Sequence, residues 1–273
     1  MGKFDGILIC TDLDGTLYKN DKTISDKNKE AIEYFKREGG SFTFVTGRLP
    51  YYSADAYNAV EPNVPFGCIN GAGIYDGQNK RYIWNKQLSG EYLEIVRDVD
   101  ESFPDAGIQI VCFEKTYFVK ENSSTVRFRR LTGLPNYSCD YRDITEPVAK
   151  IIFSSDDEEM LLNIRSFIER HKHSDKFDFI RSERVMQEVL PKGASKGLLL
   201  EKIAEYLNID VKKTIAIGDY DNDVSMLRAA GWGIAVSNAS KAALDAADMV
   251  TVSNEEDAIA RIIEDLDNGK YIV

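Results

Sequence analysis

Residues 7–17 read Ile-Leu-Ile-Cys-Thr-Asp-Leu-Asp-Gly-Thr-Leu. The apolar run Ile7–Cys10 stops abruptly at two carboxylates, Asp12 and Asp14, followed by Gly15 and Thr16. A run this short, bounded by a turn signal, predicts a buried strand of a parallel sheet. In extended backbone, residues i and i+2 project to the same side, so Asp12 and Asp14 can both face a site just past the strand. The carboxyl ends of parallel strands are where open α/β sheets take ligands. Two neighbouring acids there call for a divalent cation. The competing reading is a solvated Asp-Gly turn, since both residues are common turn formers. The rest of the chain decides between them.

At 273 residues the chain can bury a large core, as one large domain or two smaller ones. A formal net charge of −11 argues against a non-specific nucleic-acid partner, which would need a basic field. No apolar stretch approaches the roughly twenty residues that span a bilayer, so no membrane partner is expected. The opening residues MGKFDG carry no signal-peptide pattern, because Asp5 interrupts them. Cys10, Cys68, Cys112 and Cys139 are scattered without CxxC spacing or nearby His. That excludes a recognisable zinc site and fits reduced thiols in a cytoplasm, the compartment expected here. Cys10 and Cys68 fall in strand-like runs, where a small buried hydrophobe is the expected role.

After the first strand, Asp26–Glu38 reads as a helix, with Ser25 as N-cap and Gly39-Gly40 as its stop. Phe42–Val45 reads as a second strand ending in Thr46-Gly47-Arg48, Pro50–Val60 as a helix, and Phe66–Asn70 as a further strand. That alternation predicts a doubly wound α/β sheet. From Trp84 the rhythm changes to hairpin-linked strands with helices between them, an α+β pattern with a partly antiparallel sheet. After Leu190 the βα alternation returns, with strands at Thr214–Ile217, Gly233–Val236 and Met249–Val252. The expected organisation is a Rossmann-like α/β core of residues 1–83 and 191–273, interrupted by an α+β domain of residues 84–190.

Three strand ends carry polar groups suited to one task. Asp12 and Asp14 follow the first strand, Thr46 the second, and Gly218-Asp219 with Asn222 and Asp223 a later one. Oxygen ligands without His or Cys favour Mg²⁺ over zinc. Such a cation would let a phosphate dianion approach a carboxylate that otherwise repels it. Lys196 adds a positive charge at a helix start, and Thr46 a hydroxyl for a phosphoryl oxygen.

In chain order these residues make D-x-D-G-T (Asp12, Asp14, Gly15, Thr16), T-G-R (Thr46, Gly47, Arg48), S-K-G (Ser195, Lys196, Gly197) and G-D-x-x-N-D (Gly218, Asp219, Asn222, Asp223). The set resembles the four ordered motifs of the haloacid dehalogenase superfamily, most nearly its Cof-type phosphatases. Those carry a large α/β cap inserted between the third core strand and the lysine motif, where the second domain falls here. The resemblance implies a phosphoric monoester hydrolase acting on a small phosphorylated metabolite, a sugar phosphate or a cofactor or nucleotide phosphate. It implies that Asp12 is the nucleophile, forming an aspartyl-phosphate, and that Asp14 protonates the leaving alkoxide and then deprotonates water. Mg²⁺ would be held by the Asp12 carboxylate, the Asp14 main-chain carbonyl and Asp219, with Asp223 supporting them. Thr46, Gly47, Lys196 and Asn222 would bind the phosphoryl oxygens. Family members that dehalogenate lack the acid at position 14, so its presence favours phosphatase over dehalogenase.

Two other functions share these residues. A phosphomutase or phosphotransferase would pass the phosphoryl group to a second hydroxyl, and a non-enzymatic phosphoacceptor domain would hold it. At the level of residues, Arg48 either touches substrate or pairs with an acid, and Lys192 competes with Lys196 but follows Pro191 in a turn. His171 and His173, at a helix end, are expected to be solvated. Arg127, Arg129 and Arg130 are expected to form a solvated helix face. Gly71, Gly73 and Gly77 do not make a dinucleotide fingerprint.

Overall fold

A computed structural model describes residues 2–271. The chain divides into two compact units, one running to Asn85 and resuming at Ser195, the other Lys86–Ala194. Trp84 and Leu190, the expected borders, each lie inside a strand, and the chain changes unit a few residues later.

The first unit begins with β1 (Leu8–Thr11), α1 (Asp26–Arg37), β2 (Ser41–Phe44) and α2 (Ala54–Val60). α1 starts where expected, because the Ser25 hydroxyl accepts a hydrogen bond from the Asn28 N–H and so satisfies one of the free first-turn donors. Its apolar stripe buries Ile32 and Phe35 completely. β3 (Phe66–Cys68), β4 (Gly73–Asp76) and β5 (Arg81–Asn85) follow. Here the structure departs from the sequence reading. β3 shares no ladder with β2 beyond an isolated parallel bridge between Val45 and Gly67, although the Phe44 and Phe66 rings pack at 4.6 Å; it pairs antiparallel with β4, which pairs antiparallel with β5. The cause is the turn after β3. Ile69, Asn70 and Gly71 have φ of +56°, +51° and +117°, which reverses the chain at once and lays β4 back along β3.

The second unit comprises α3 (Tyr92–Ser102), β6 (Gly107–Cys112), β7 (Thr116–Lys120), α4 (Ser123–Thr132), β8 (Val148–Ser154), α5 (Glu158–Glu169), β9 (Phe177–Glu183) and β10 (Met186–Pro191). Its strands form one sheet in the order β7-β6-β8-β10-β9, antiparallel at every pairing. Side chains of Ile95, Val96, Val99, Ile108, Ile110, Ile151, Phe153, Ile164, Ile168 and Val189 form its core. The opposite side of the strands carries Lys150, whose Nζ lies 2.9 Å from both carboxylate oxygens of Glu188, a pair almost wholly buried. The two histidines differ from expectation. His171 keeps only 6% of its side chain exposed, with Nε2 3.1 Å from Asp98 Oδ2, and His173 Nε2 lies 3.2 Å from Glu94 Oε1. Arg127 pairs with Asp156 and Arg129 with Glu121 on the α4 surface.

The first unit resumes with α6 (Lys196–Tyr206), β11 (Thr214–Gly218), α7 (Val224–Ala229), β12 (Trp232–Ala235), α8 (Lys241–Ala246), β13 (Met249–Val250) and α9 (Ala258–Asp267). A five-stranded sheet runs β13-β12-β11-β1-β2, parallel throughout. The fold is therefore a Rossmann-like parallel core interrupted by an α+β insertion. β1 is the strand from which the chain departs in both directions, the topological switch point where such sheets bind ligands. Register sets its neighbours level: Thr11 lies opposite Ile217 on one side and Phe44 on the other. Asp12, Asp219 and Thr46 thus leave the sheet along one edge. All four cysteines are free thiols, with Cys10 and Cys68 fully buried as expected. Among the described residues, no helix is long and apolar enough to cross a membrane.

Candidate active site

Past Thr11, the chain enters a wide turn over Leu13–Leu17, closed by bonds from Leu17 N–H to Asp12 O (3.3 Å) and Tyr18 N–H to Leu13 O (2.8 Å). The turn needs glycine at position 15 for two reasons. Gly15 has φ +82°, and a Cβ there would sit 2.4 Å from Asp219 Oδ2. The first and last acidic motifs are packed against each other at that point. Thr16, quoted in the motif but given no role by the sequence reading, donates from Oγ1 to Asp219 Oδ1 at 2.8 Å. The Asn238 amide donates to Gly15 O at 2.8 Å and fastens the turn from the β12 side.

Carboxylate oxygens of Asp12, Asp219 and Asp223 lie within 4.8 Å of one another, close enough to share one cation. The Ser195 hydroxyl caps α6 by accepting from Leu198 N–H, and this places Lys196 in the helix's first turn. From there Lys196 Nζ reaches Asp12 Oδ1 at 2.6 Å and Asp223 Oδ1 at 2.5 Å, with its side chain 1% exposed. Lys192, the competitor, belongs to the other unit and pairs with Asp178. Asp223 also accepts the N–H groups of Asp219 and Tyr220 on Oδ2, each at 3.0 Å, so it fixes the loop that carries Asp219.

Burial raises the Asp12 carboxyl well above the usual range, and the neighbouring acids Asp223 and Asp219 raise it further against the pull of Lys196. Burial and Asp223 push Asp219 up to about 7, against the Thr16 hydrogen bond and Lys196. Lys196, though buried, is held firmly protonated by Asp12 and Asp223. When all three carboxylates are ionised, they leave two formal negative charges against one ammonium, and a divalent cation would balance them.

Asp14 is turned another way. Arg48 grips it with Nε to Oδ2 at 2.7 Å and Nη2 to Oδ1 at 2.6 Å, and Lys22 Nζ adds a bond at 2.8 Å. Burial alone would raise this carboxyl, but the two cations outweigh burial and hold it below its ordinary value. Arg48 lies between the rings of Tyr18 and Tyr52, with its guanidinium carbon 5.1 and 4.5 Å from the two centroids. Of the two roles the sequence left open for Arg48, pairing with an acid is seen here, and that acid is Asp14. The Asp14 side chain does not join the three-carboxylate cluster; the metal contact expected of this residue was through its main-chain carbonyl.

Thr46 is buried, and its hydroxyl accepts from Arg48 N–H at 3.2 Å. Val45 N–H bonds to Thr11 O at 2.9 Å, which holds this segment beside the end of β1. Gly47 is crowded by Asn70: a Cβ on Gly47 would meet Asn70 Nδ2 at 2.7 Å. Asn222, one turn from Asp219, donates from Nδ2 to Asn70 Oδ1 at 3.0 Å. Asn70 lies outside the four motifs. The signal was present in a polar residue and glycines directly after an apolar run, the pattern that picked out the other three strand ends.

Residues 9–263 match the family of haloacid dehalogenase-like hydrolases. A relative from Bacillus subtilis named 5-amino-6-(5-phospho-D-ribitylamino)uracil phosphatase YitU is 30% identical over 265 residues, covering 94% of this chain and 96% of its own. Phosphatase YwpJ of the same organism is 27% identical, covering 95% of this chain and 99% of its own. Among solved structures, a haloacid dehalogenase-like hydrolase from Bacteroides thetaiotaomicron superposes with a TM-score of 0.82 at 27% identity, over 95% of this chain and 99% of that one. With the match running through all four motifs and the insertion between them, the chain belongs to the haloacid dehalogenase-like hydrolases and is an enzyme of that family.

Proposed function

We propose that the enzyme is a magnesium-dependent phosphatase that hydrolyses phosphomonoesters of small metabolites through an aspartyl-phosphate on Asp12. The observation that carries this reading is the meeting of Asp12, Asp219 and Asp223 around one buried lysine at the edge of a parallel sheet. The donors are all oxygens and the cluster is doubly negative, which suits a small hard cation. Asp12, Asp219 and the Asp14 main-chain carbonyl would hold Mg²⁺, and Asp223 keeps Asp219 in place. When bound, the ion supplies positive charge that lets a phosphate dianion approach the carboxylates.

The remaining roles belong to the chain's own groups. An Asp12 oxygen attacks phosphorus, the ester P–O bond breaks, and the departing alkoxide takes a proton from Asp14. Water then gives its proton to Asp14 as it attacks the phosphoenzyme, the Asp12–phosphorus bond breaks, and inorganic phosphate leaves. Arg48 and Lys22 hold Asp14 ionised, so their grip has to loosen before Asp14 can carry a proton. Thr46, Gly47, Lys196 and Asn222 would hold the phosphoryl oxygens. The relative named for 5-amino-6-(5-phospho-D-ribitylamino)uracil supports including a phosphorylated ribityl compound among the substrates tried. Free thiols at all four cysteines support a reducing compartment such as the cytoplasm.

The test is phosphate release over a panel of phosphorylated metabolites, with Asp12→Asn beside wild type. Wild type should release phosphate only with Mg²⁺ present, and Asp12→Asn should lose at least about a thousandfold while keeping its melting temperature. Retained turnover in Asp12→Asn removes the nucleophile, and full activity in excess chelator removes the metal.

A further inference from the structure

The turn after β3 is strained at the point where it meets the site. Ile69 and Asn70 both adopt positive φ, a costly conformation for a β-branched residue such as Ile69. Two main-chain bonds lock the turn onto the segment after β2: Ile69 N–H to Arg48 O at 3.0 Å and Asn70 N–H to Thr46 O at 3.1 Å. The result is a polar side chain, 1% exposed, lying over Gly47 on one side and bonded to Asn222 on the other. Strand ends β2 and β11, distant in sequence, are joined here through one amide.

We infer that Asn70 is a positioning residue: it orients the Asn222 amide for the phosphoryl group and sets the spacing between Gly47 and Asn222. The inference rests on the reading that Asn222 binds phosphoryl oxygen. An Asn amide has two donors and an acceptor that can exchange places by a flip. In the bond from Asn222 Nδ2 to Asn70 Oδ1 the nitrogen uses one N–H and keeps a second for an anion, an orientation that holds while Asn70 presents its oxygen. Strain at position 69 is then offset by the bonds that fasten the turn, and these bonds keep the acceptor where Asn222 needs it.

Asn70→Gly separates this role from a backbone one. Glycine accepts φ near +51° without strain, so the fold should persist with a melting temperature close to wild type, while the acceptor disappears. In that variant kcat/KM for p-nitrophenyl phosphate, read with saturating Mg²⁺, should fall about tenfold, the worth of one well-placed hydrogen bond. The inhibition constant of inorganic phosphate should rise by a similar factor. Asn222→Ala should show the same loss, and the double variant should lose no more than either single one. Wild-type kinetics in Asn70→Gly, or losses that multiply in the double variant, overturn the inference. Wild-type kinetics in Asn222→Ala would instead overturn the assignment of Asn222 to the phosphoryl group, and the phosphatase itself stands or falls on release by the wild-type enzyme.

Discussion

Asp219 accepts from the Thr16 hydroxyl on one oxygen, leaves no room for a Cβ on Gly15 with the other, and lies beside the buried Asp12, Asp223 and Lys196. Its carboxyl is pushed to about 7 in the folded chain, while an unfolded aspartate titrates near 4. Between those values the folded state holds a proton that the unfolded state has released. Stability of the metal-free protein should therefore fall as pH rises from about 4 to about 7, by a few kcal/mol, and level off above. Asp12, raised as well, adds in the same direction. A bound cation needs the ionised cluster, so the stabilisation by Mg²⁺ should grow across the same window. Melting curves in Mg²⁺ and in chelator at pH 5.5 and 7.5 should diverge at the higher pH, and Asp219→Asn should abolish most of the difference. An Mg²⁺ effect of equal size at both pH values would contradict this charge balance.

Elements differ in how far local sequence specifies them. β1, β2 and β11 were readable to within a residue or so, because each is an apolar run closed by turn residues, and α1 because Ser25 caps it. The acidic motifs were legible for the same reason: each stands where a strand stops. The hairpin β3–β4–β5 was not, because its direction depends on positive φ at Ile69, a residue type that gives no such signal. The grip of Arg48 on Asp14 was not either, since it depends on where two loops meet in space. Nor was the burial of Gln109 in β6. This residue has no exposed surface, and among the described residues neither end of its amide has a hydrogen-bond partner. Burying an unsatisfied amide costs on the order of 1–3 kcal/mol. Gln109→Leu, close in volume and without polar atoms, should raise stability by about 1–2 kcal/mol, measured by urea unfolding. A destabilised variant would mean that the amide is satisfied by ordered water.

At the scale of the molecule, each unit holds its own apolar core. The cluster built on Leu88, Ile95, Ile108, Phe153, Ile164 and Val189 draws every member from Lys86–Ala194. The one built on Leu8, Cys10, Val45, Leu199, Ile203 and Ala216 draws every member from the rest of the chain. The insertion leaves after β5 and returns at the cap of α6, and its five strands find all their partners within it. A segment of this length with a complete sheet, two helices on its core and no borrowed strand meets the usual conditions for independent folding. Residues 86–194 produced alone should unfold in one cooperative transition with stability of about 4–8 kcal/mol, at the low end for a domain. Far-ultraviolet circular dichroism and a sigmoidal urea curve check this. A gradual, non-cooperative loss of signal would mean that the apolar cluster of the insertion is insufficient on its own, and that the division of the chain into two folding units is wrong.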